Sequence, residues 1–203
     1  MNRASALLGG LVLAGCVSHL GGASSKAPED LRHQLSREAG ALVMAANTGV
    51  DRRELLDHHT HVVGLGVGGT GAFVNDAMQN GGFTHRLKFD VYASAAGITD
   101  LTKADAQYVE RLVSLIRHSP EHGRHLILAF DKHYRPDGTV DLEHTEFHVP
   151  NAYVFALAQA HPELVPAISV HPDRPDALAE LDRWAAQGAR FVKWLPNAMG
   201  IDP

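Results

Sequence analysis

His59 and His61 stand two residues apart within a short run, 54–63, whose composition predicts a β-strand. Side chains two residues apart on a strand point to the same face, so these two imidazoles project together, while His58 and Thr60 point away. Neutral imidazole is a natural ligand of Zn²⁺ and related ions. The pair is therefore a candidate site for a divalent metal. The spacing alone leaves open a chance pair, because the chain has 14 histidines, or two core histidines with satisfied hydrogen bonds.

Other titratable side chains stand where further strands are predicted to end. Asp131 and His133 follow one apolar run, His171 follows the next, and Lys193 lies near the end of the last. Asp131, His133 and His171 are candidates to contact a small-molecule substrate or to hold His59 and His61 in orientation. The alternative for each is a hydrogen-bonded structural residue.

These side chains are carried by an alternation of helical and strand patterns. The predicted helices are 28–47, 105–117, 150–159 and 176–187, and the predicted strands are 54–63, 124–130, 165–170 and 190–195. Strands that alternate with helices form βαβ units around a parallel sheet, so the fold class is α/β. Polar residues at the end of every strand favour a (β/α)₈ barrel over a doubly wound sheet, which would concentrate them at one switch point.

A glycine-rich segment, 64–69, follows the first predicted strand and matches G-x-G-x-x-G, with Asp90 about 20 residues further on. A dinucleotide-binding segment of this kind should open a helix, and residues 64–82 show little regular pattern. We therefore expect a loop at the mouth of the site, whose backbone amides could meet a substrate.

Two stretches resemble one enzyme family. Leu56-Asp57-His58-His59-Thr60-His61 is similar to the D-x-H-x-H signature of the amidohydrolase superfamily. Ser169-Val170-His171-Pro172, continuing through Gly188–Asn197, is similar to the third and fourth strands of its amidohydrolase-related branch. The resemblance implies a (β/α)₈ barrel in which one or two divalent metals, zinc in the first place, activate water for hydrolysis of an amide, ester or lactone bond. It also implies that His59 and His61 are metal ligands.

Lys193 lies where binuclear members of that family carry a lysine that CO₂ carbamylates and that bridges the two metals. In many single-metal relatives a lysine near this position lacks that role and can bind a substrate carboxylate. The resemblance thus allows Lys193 as a metal ligand or a substrate contact, and an exposed lysine at a strand end is the remaining alternative.

The family places its remaining ligands and its catalytic aspartate on later strands, so the resemblance assigns no catalytic residue here. Four strands are half of the eight that a barrel of about 250 residues needs. We expect residues 29–203 to be the N-terminal half of a TIM barrel, incomplete and inactive alone, with assembly of two halves as an alternative. Rival functions are a decarboxylase or other lyase on the same scaffold, and a non-catalytic metal-binding lipoprotein.

The N-terminus has the pattern of an exported protein. Arg3 precedes an apolar run, 4–15, that is shorter than the roughly 18 residues of a membrane-spanning helix. Residues Leu13–Cys16 resemble a bacterial lipobox, and Cys16 is the chain's one cysteine. We expect a signal peptide at 1–15, lipidation of Cys16, a flexible linker at 16–28, and export with anchoring to the periplasmic or extracellular side of a bacterial membrane. The alternative is a buried N-terminal helix.

The charge composition limits which classes of binding partner are expected. The chain has 203 residues, with 18 Lys and Arg against 23 Asp and Glu, a formal net charge of −5. Nucleic-acid binders need clustered basic residues, so nucleic acid is not an expected partner. We expect a small-molecule substrate, membrane contact only through the lipid anchor, and a possible homo-oligomer.

Overall fold

The structure is a computed structural model that describes residues 27–119 and 122–201, without the side chains of Leu31, Arg32 and Gln34. The predicted signal peptide, the lipidation of Cys16 and nearly all of the predicted linker lie outside these residues and stay predictions.

Helices and short strands alternate along the described chain. The α-helices are α1 (Arg37–Ala46), α2 (Asp76–Asn80), α3 (Phe83–Ala95), α4 (Ala104–His118), α5 (Asn151–Ala160), α6 (Ala177–Ala186) and α7 (Pro196–Met199). The strands are β1 (Leu56–His61), β2 (Phe73–Val74), β3 (Arg124–Leu128), β4 (Phe147–His148) and β5 (Leu164–Ala167), and 3₁₀ turns cover Pro28–Gln34, Arg52–Glu54 and Leu101–Lys103. Within 27–119 and 122–201, no helix is long and apolar enough to cross a membrane.

A parallel three-stranded sheet forms the centre of the molecule. Its strands lie in chain order, β1-β3-β5, and a separate antiparallel pair joins β2 to β4. The helices α4 and α5 connect the three parallel strands, as expected for βαβ units. The predicted α/β class with a parallel sheet is confirmed.

The predicted fourth strand, 190–195, was wrong in extent, because it is reduced to one parallel bridge between Ile168 and Val192. Two backbone bonds make this bridge: Ile168 donates to the Phe191 carbonyl at 3.0 Å, and Lys193 donates to the Ile168 carbonyl at 2.8 Å. The chain then leaves the sheet at Pro196, the first residue of α7, because proline suits the first turn of a helix and has no N–H for a strand ladder.

The main core lies between the sheet and its helices. Ile127 of β3 is fully buried there against Val113 and Ile116 of α4 and Val154 of α5. Side chains three to four residues apart share one helix face, so the amphipathic pattern predicted for 105–117 produces this contact.

The other face of the sheet has no helix packed on it within the described chain. Leu126 and Leu128 alternate with Ile127 and cluster on this face with Ala167 of β5 and with Phe191. Both faces of β3 are therefore apolar, as its uninterrupted apolar run predicted. We call the side that carries Leu128 and Ala167 the helix-free face.

The first predicted helix was wrong as one element, because it consists of the 3₁₀ turn Pro28–Gln34 followed by α1. Ser36 separates the two: its side chain accepts the Ala39 N–H at 3.1 Å and caps α1. A serine that accepts this bond favours a new helix start over a continuous helix.

Residues 64–95 hold more structure than their sequence indicated. The strand β2 and the helix α2 lie inside the stretch 64–82, and α3 follows at Phe83. None of the residues of α2 or α3 is fully buried. A helix without a buried stripe gives little periodic signal in its sequence.

Candidate functional site

The Asp57 carboxylate shapes the strand that carries the two histidines. Its Oδ1 accepts the His59 backbone N–H at 2.8 Å, so that N–H leaves the ladder. The pairing of β1 with β3 shifts register between Asp57 and Thr60, which is the signature of a β-bulge.

The bulge overturns one prediction about the neighbouring side chains. His58 was expected to point away from His59, but both line a groove on the helix-free face, and the His58 ring lies 6.3 Å from that of Phe191, edge to face. Thr60 does point to the other side, where it is buried and its hydroxyl lies 3.3 Å from His125 Nδ1. An extra residue in one strand breaks the strict two-residue alternation on which the prediction rested.

The paired projection of His59 and His61 agrees with the prediction. Their Nε2 atoms lie 2.9 Å apart, at hydrogen-bond distance, and their ring centroids lie 4.8 Å apart. Two imidazoles on a tetrahedral Zn²⁺, each with a Zn–N bond of about 2.05 Å, would have their nitrogens about 3.3 Å apart. A shift of a few tenths of an ångström in two exposed rings would convert one arrangement into the other.

Lys193 lies near this pair. Its Nζ lies 3.7 Å from the centroid of the Phe130 ring, is shielded from solvent, and has no hydrogen-bond partner in the described residues. A buried ammonium over an aromatic face gains a cation–π interaction but does not recover the hydrogen bonds it makes in water.

Burial shifts both groups toward their uncharged forms, and like charges add to this shift at His61. Burial lowers the pKa of Lys193 from 10.5 to about 8. Burial, followed by the charges of His59 and Lys193, also lowers the pKa of His61. A neutral imidazole and an amine that loses its proton easily are the forms that bind metal ions or attack electrophiles.

Tyr108 and Phe147 support the site although no sequence signal marked them. The Tyr108 hydroxyl donates to the His61 carbonyl at 2.8 Å and so joins α4 to the end of β1. The ring of Phe147 packs at 4.2 Å on Phe130, the ring that carries the Lys193 amine.

Asp131 lies after the end of β3, as predicted, with its oxygens engaged inside the protein. It accepts the Lys132 N–H at 2.9 Å, the His171 N–H at 2.9 Å and the Arg174 guanidinium at 3.0 Å. The sequence analysis did not identify Arg174 as the partner of Asp131. A carboxylate that is buried after a strand needs a cationic partner, and this need was the available signal.

His171 is fully buried and both of its ring nitrogens are used. Nε2 donates to the Met199 carbonyl at 2.7 Å, and Nδ1 accepts the Asp173 N–H at 3.1 Å. The bond to Met199 joins the segment after β5 to α7. In this geometry the side chains of Asp131 and His171 are hydrogen-bonded within the protein, and their roles toward a substrate or toward His59 and His61 stay predictions.

His133 keeps one ring nitrogen without a partner. Its Nδ1 is buried and has no hydrogen bond within the described part of the chain, and burial lowers its pKa. Nε2 faces Gly200 so closely that a Cβ there would lie 2.0 Å from it. His133 neighbours His171, with 6.3 Å between ring centroids, so the structure groups Asp131, His133 and His171 at the same strand ends.

Asp105 of α4 holds the glycine-rich loop through hydrogen bonds. This buried carboxylate accepts the Leu65 N–H at 2.6 Å, the Gly66 N–H at 3.1 Å and the Thr70 hydroxyl at 2.5 Å. Two of the amides that were expected to meet a substrate are thus used by the protein itself, and that expectation was wrong for Leu65 and Gly66.

The described residues therefore contain a two-histidine pair with a nearby amine, and no group of three or more His, Cys, Asp or Glu side chains arranged to hold a metal ion. Comparisons of the chain with protein-family models, with curated proteins and with solved structures give no match.

Proposed function

We propose that this chain carries the first metal-ligating strand and part of the substrate site of a metal-dependent hydrolase of the amidohydrolase type, acting on an amide, ester or similar bond. The observation that carries the proposal is the pair of Nε2 atoms of His59 and His61, 2.9 Å apart. They lie at the carboxyl end of a parallel strand, where α/β enzymes build their sites.

The arrangement of the sheet supports the same reading. Its strands follow chain order without reversal, and the bridge at Val192 adds a fourth parallel position in the same direction. A barrel is wound in this way, whereas a doubly wound sheet reverses its strand order. Half of a (β/α)₈ barrel is therefore the architecture that we propose.

Among the described residues, His59 and His61 fit a divalent ion, and the Lys193 amine is the nearby group that a ligand role or a substrate carboxylate would use. The ion, zinc in the first place, would supply Lewis-acid polarisation of the scissile group and a lowered pKa for a bound water. Asp57 holds the backbone of His59, and Tyr108 holds that of His61, so both imidazoles start from fixed backbone positions.

The test is zinc binding by the 203-residue chain, measured by isothermal titration calorimetry. The double variant His59→Ala plus His61→Ala should weaken zinc affinity at least about 100-fold, the upper end of what loss of an outer contact costs a metal site. A matched control, His33→Ala plus His85→Ala, removes two exposed histidines elsewhere and should leave the affinity unchanged.

Either of two results would contradict the proposal. One is zinc binding that survives the double substitution, which is expected of a histidine-rich binding protein without this site. The other is equal loss of affinity in the control. Lys193→Met adds a further readout: loss of a second equivalent of metal indicates a bridging lysine, and unchanged stoichiometry leaves the substrate contact.

A further inference from the structure

An apolar pocket lies next to the segment that carries the candidate metal pair. None of the roles proposed for His59, His61 and Lys193 involves it. It has a volume of about 230 Å³ and lies between the glycine-rich loop, the antiparallel pair of β2 and β4, and the helices α2 and α3. Two of its walls, Val63 and Gly64, follow His61 within three residues.

The lining of the pocket is apolar on every side. Leu65, Met78, Phe89, Ala93 and Phe147 contribute from four different segments, since Phe89 and Ala93 both lie on α3. Tyr92, exposed at the rim, carries the one hydroxyl among the lining side chains that the structure describes, and no charged side chain lines the pocket there. Such a surface offers a ligand burial of apolar area and little hydrogen bonding.

Side chains that pack against each other adjoin both the pocket and the candidate site. Phe147 forms part of its wall and stacks on Phe130, and the Phe130 ring carries the Lys193 amine. Val63 continues the chain from His61 directly into the pocket wall. Two residues of extended chain span at most about 7 Å, so the pocket wall begins within that distance of the His61 backbone. This distance is short enough for a ligand with its reacting group at the histidine pair to place its apolar end in the pocket.

We infer that this pocket binds an uncharged alkyl or alkylphenyl group. The next step rests on the proposed function: the hydrocarbon group is the apolar part of the substrate. The substrate class is then an amide or ester with a neutral hydrocarbon substituent. An apolar cavity of about 150 Å³ accommodates benzene. A pocket of about 230 Å³ has room for a benzene ring with a short alkyl chain.

The first experiment measures binding of toluene, propylbenzene and butylbenzene to the chain by NMR line broadening in the presence of EDTA. Affinity should rise about fourfold per methylene, the gain expected from burying one CH₂ group. Ala93→Phe fills the pocket from α3 and should reduce butylbenzene affinity at least tenfold. Ala95→Phe, the control, adds the same ring at an exposed position two residues along the same helix and should bind like the parent chain.

Folding of each variant is checked by its thermal unfolding. Ala96→Leu is a second, smaller filling of the same pocket, so the test does not depend on Ala93→Phe alone. Butylbenzene affinity that is unchanged in both filled variants, or that falls equally in Ala95→Phe, would overturn the assignment of the pocket.

The second experiment separates this inference from the proposed function. Because the chain is expected to be inactive alone, it measures binding: with zinc added, the affinity for alkanehydroxamates, whose head group ligates zinc, should rise with alkyl length in the parent chain and become independent of length in Ala93→Phe. Zinc-dependent hydroxamate binding without length dependence would refute the substrate class while leaving the hydrolase proposal intact. Alkylbenzene binding without any zinc-dependent hydroxamate binding would refute the hydrolase proposal, and with it the assignment of this group to a substrate, while leaving the pocket as an apolar ligand site.

Discussion

Asp131 and Arg174 form a buried ion pair that joins the end of β3 to the segment after β5. The side chain of Asp131 is 2% exposed and that of Arg174 is 16% exposed. Removing one member of such a pair leaves an uncompensated charge, which costs more than the intact pair contributes. At the scale of single residues, this pair fixes the strand ends on which the candidate site stands.

Asp131→Ala should therefore lower the free energy of unfolding by about 3 kcal/mol, measured by urea denaturation. The control is Asp176→Ala, which removes the other carboxylate that contacts Arg174. Because the Asp176 side chain is 57% exposed, its loss should cost less than about 1 kcal/mol. Equal destabilisation by the two substitutions would mean that burial of the pair contributes nothing.

At the scale of elements, the contact between the glycine-rich loop and α4 limits which side chains the loop can hold. A Cβ on Gly64 would lie 2.5 Å from Asp105 Oδ2 and 2.9 Å from the Ala72 Cβ, closer than real Cβ atoms approach. Gly40 in α1 is the opposite case, since a Cβ there would have nothing within 4 Å.

Gly64→Ala should destabilise the protein by about 1–3 kcal/mol, the range for overpacking a buried site, because Asp105 would have to move from the loop amides it holds. Gly40→Ala should stabilise it by about 0.5–1 kcal/mol, because alanine is the better helix former. Both changes are read from the same chemical denaturation curves. A neutral Gly64→Ala would show that the loop can be displaced from Asp105 at no cost.

At the scale of the whole molecule, the ion pair between Arg117 and Glu163 ties the end of α4 to the start of β5, with 2.6 Å between Nε and Oε1. Burial alone would raise the pKa of the Glu163 carboxyl. Its backbone hydrogen bond, together with the hydrogen bond and charge of Arg117, outweighs burial and lowers the pKa below 4.5. A carboxylate whose pKa is lower in the folded state adds stability above its unfolded pKa and loses it as the pH falls through the folded value.

Glu163→Gln should thus be less stable than the parent chain at pH 7, by about 1 kcal/mol because Arg117 is half exposed. The difference should shrink as the pH falls below 4.5 and the parent carboxyl takes up its proton. Urea denaturation of both proteins at pH 7 and in acid measures it. The exposed Glu143→Gln serves as the control, and a Glu163→Gln difference that stays constant into acid would contradict the linkage.

Local pattern in the sequence was enough to predict several parts of the molecule. The α/β alternation, the doubly buried β3 and the amphipathic α4 follow from periodicity within each segment. The shared direction of His59 and His61 follows from their two-residue spacing on a strand. Each of these properties is set by residues close together in the chain.

The tertiary structure decided what depends on residues far apart. The bulge that turns His58 into the groove requires β3 as a partner, and the position of the Lys193 amine requires the ring of Phe130, 63 residues away. The Arg174 partner of Asp131 and the reduction of the last strand to the Val192 bridge also arise from long-range contacts. Local propensity does not encode such pairings, because their free energy comes from burial and hydrogen bonds that exist only once the segments pack together.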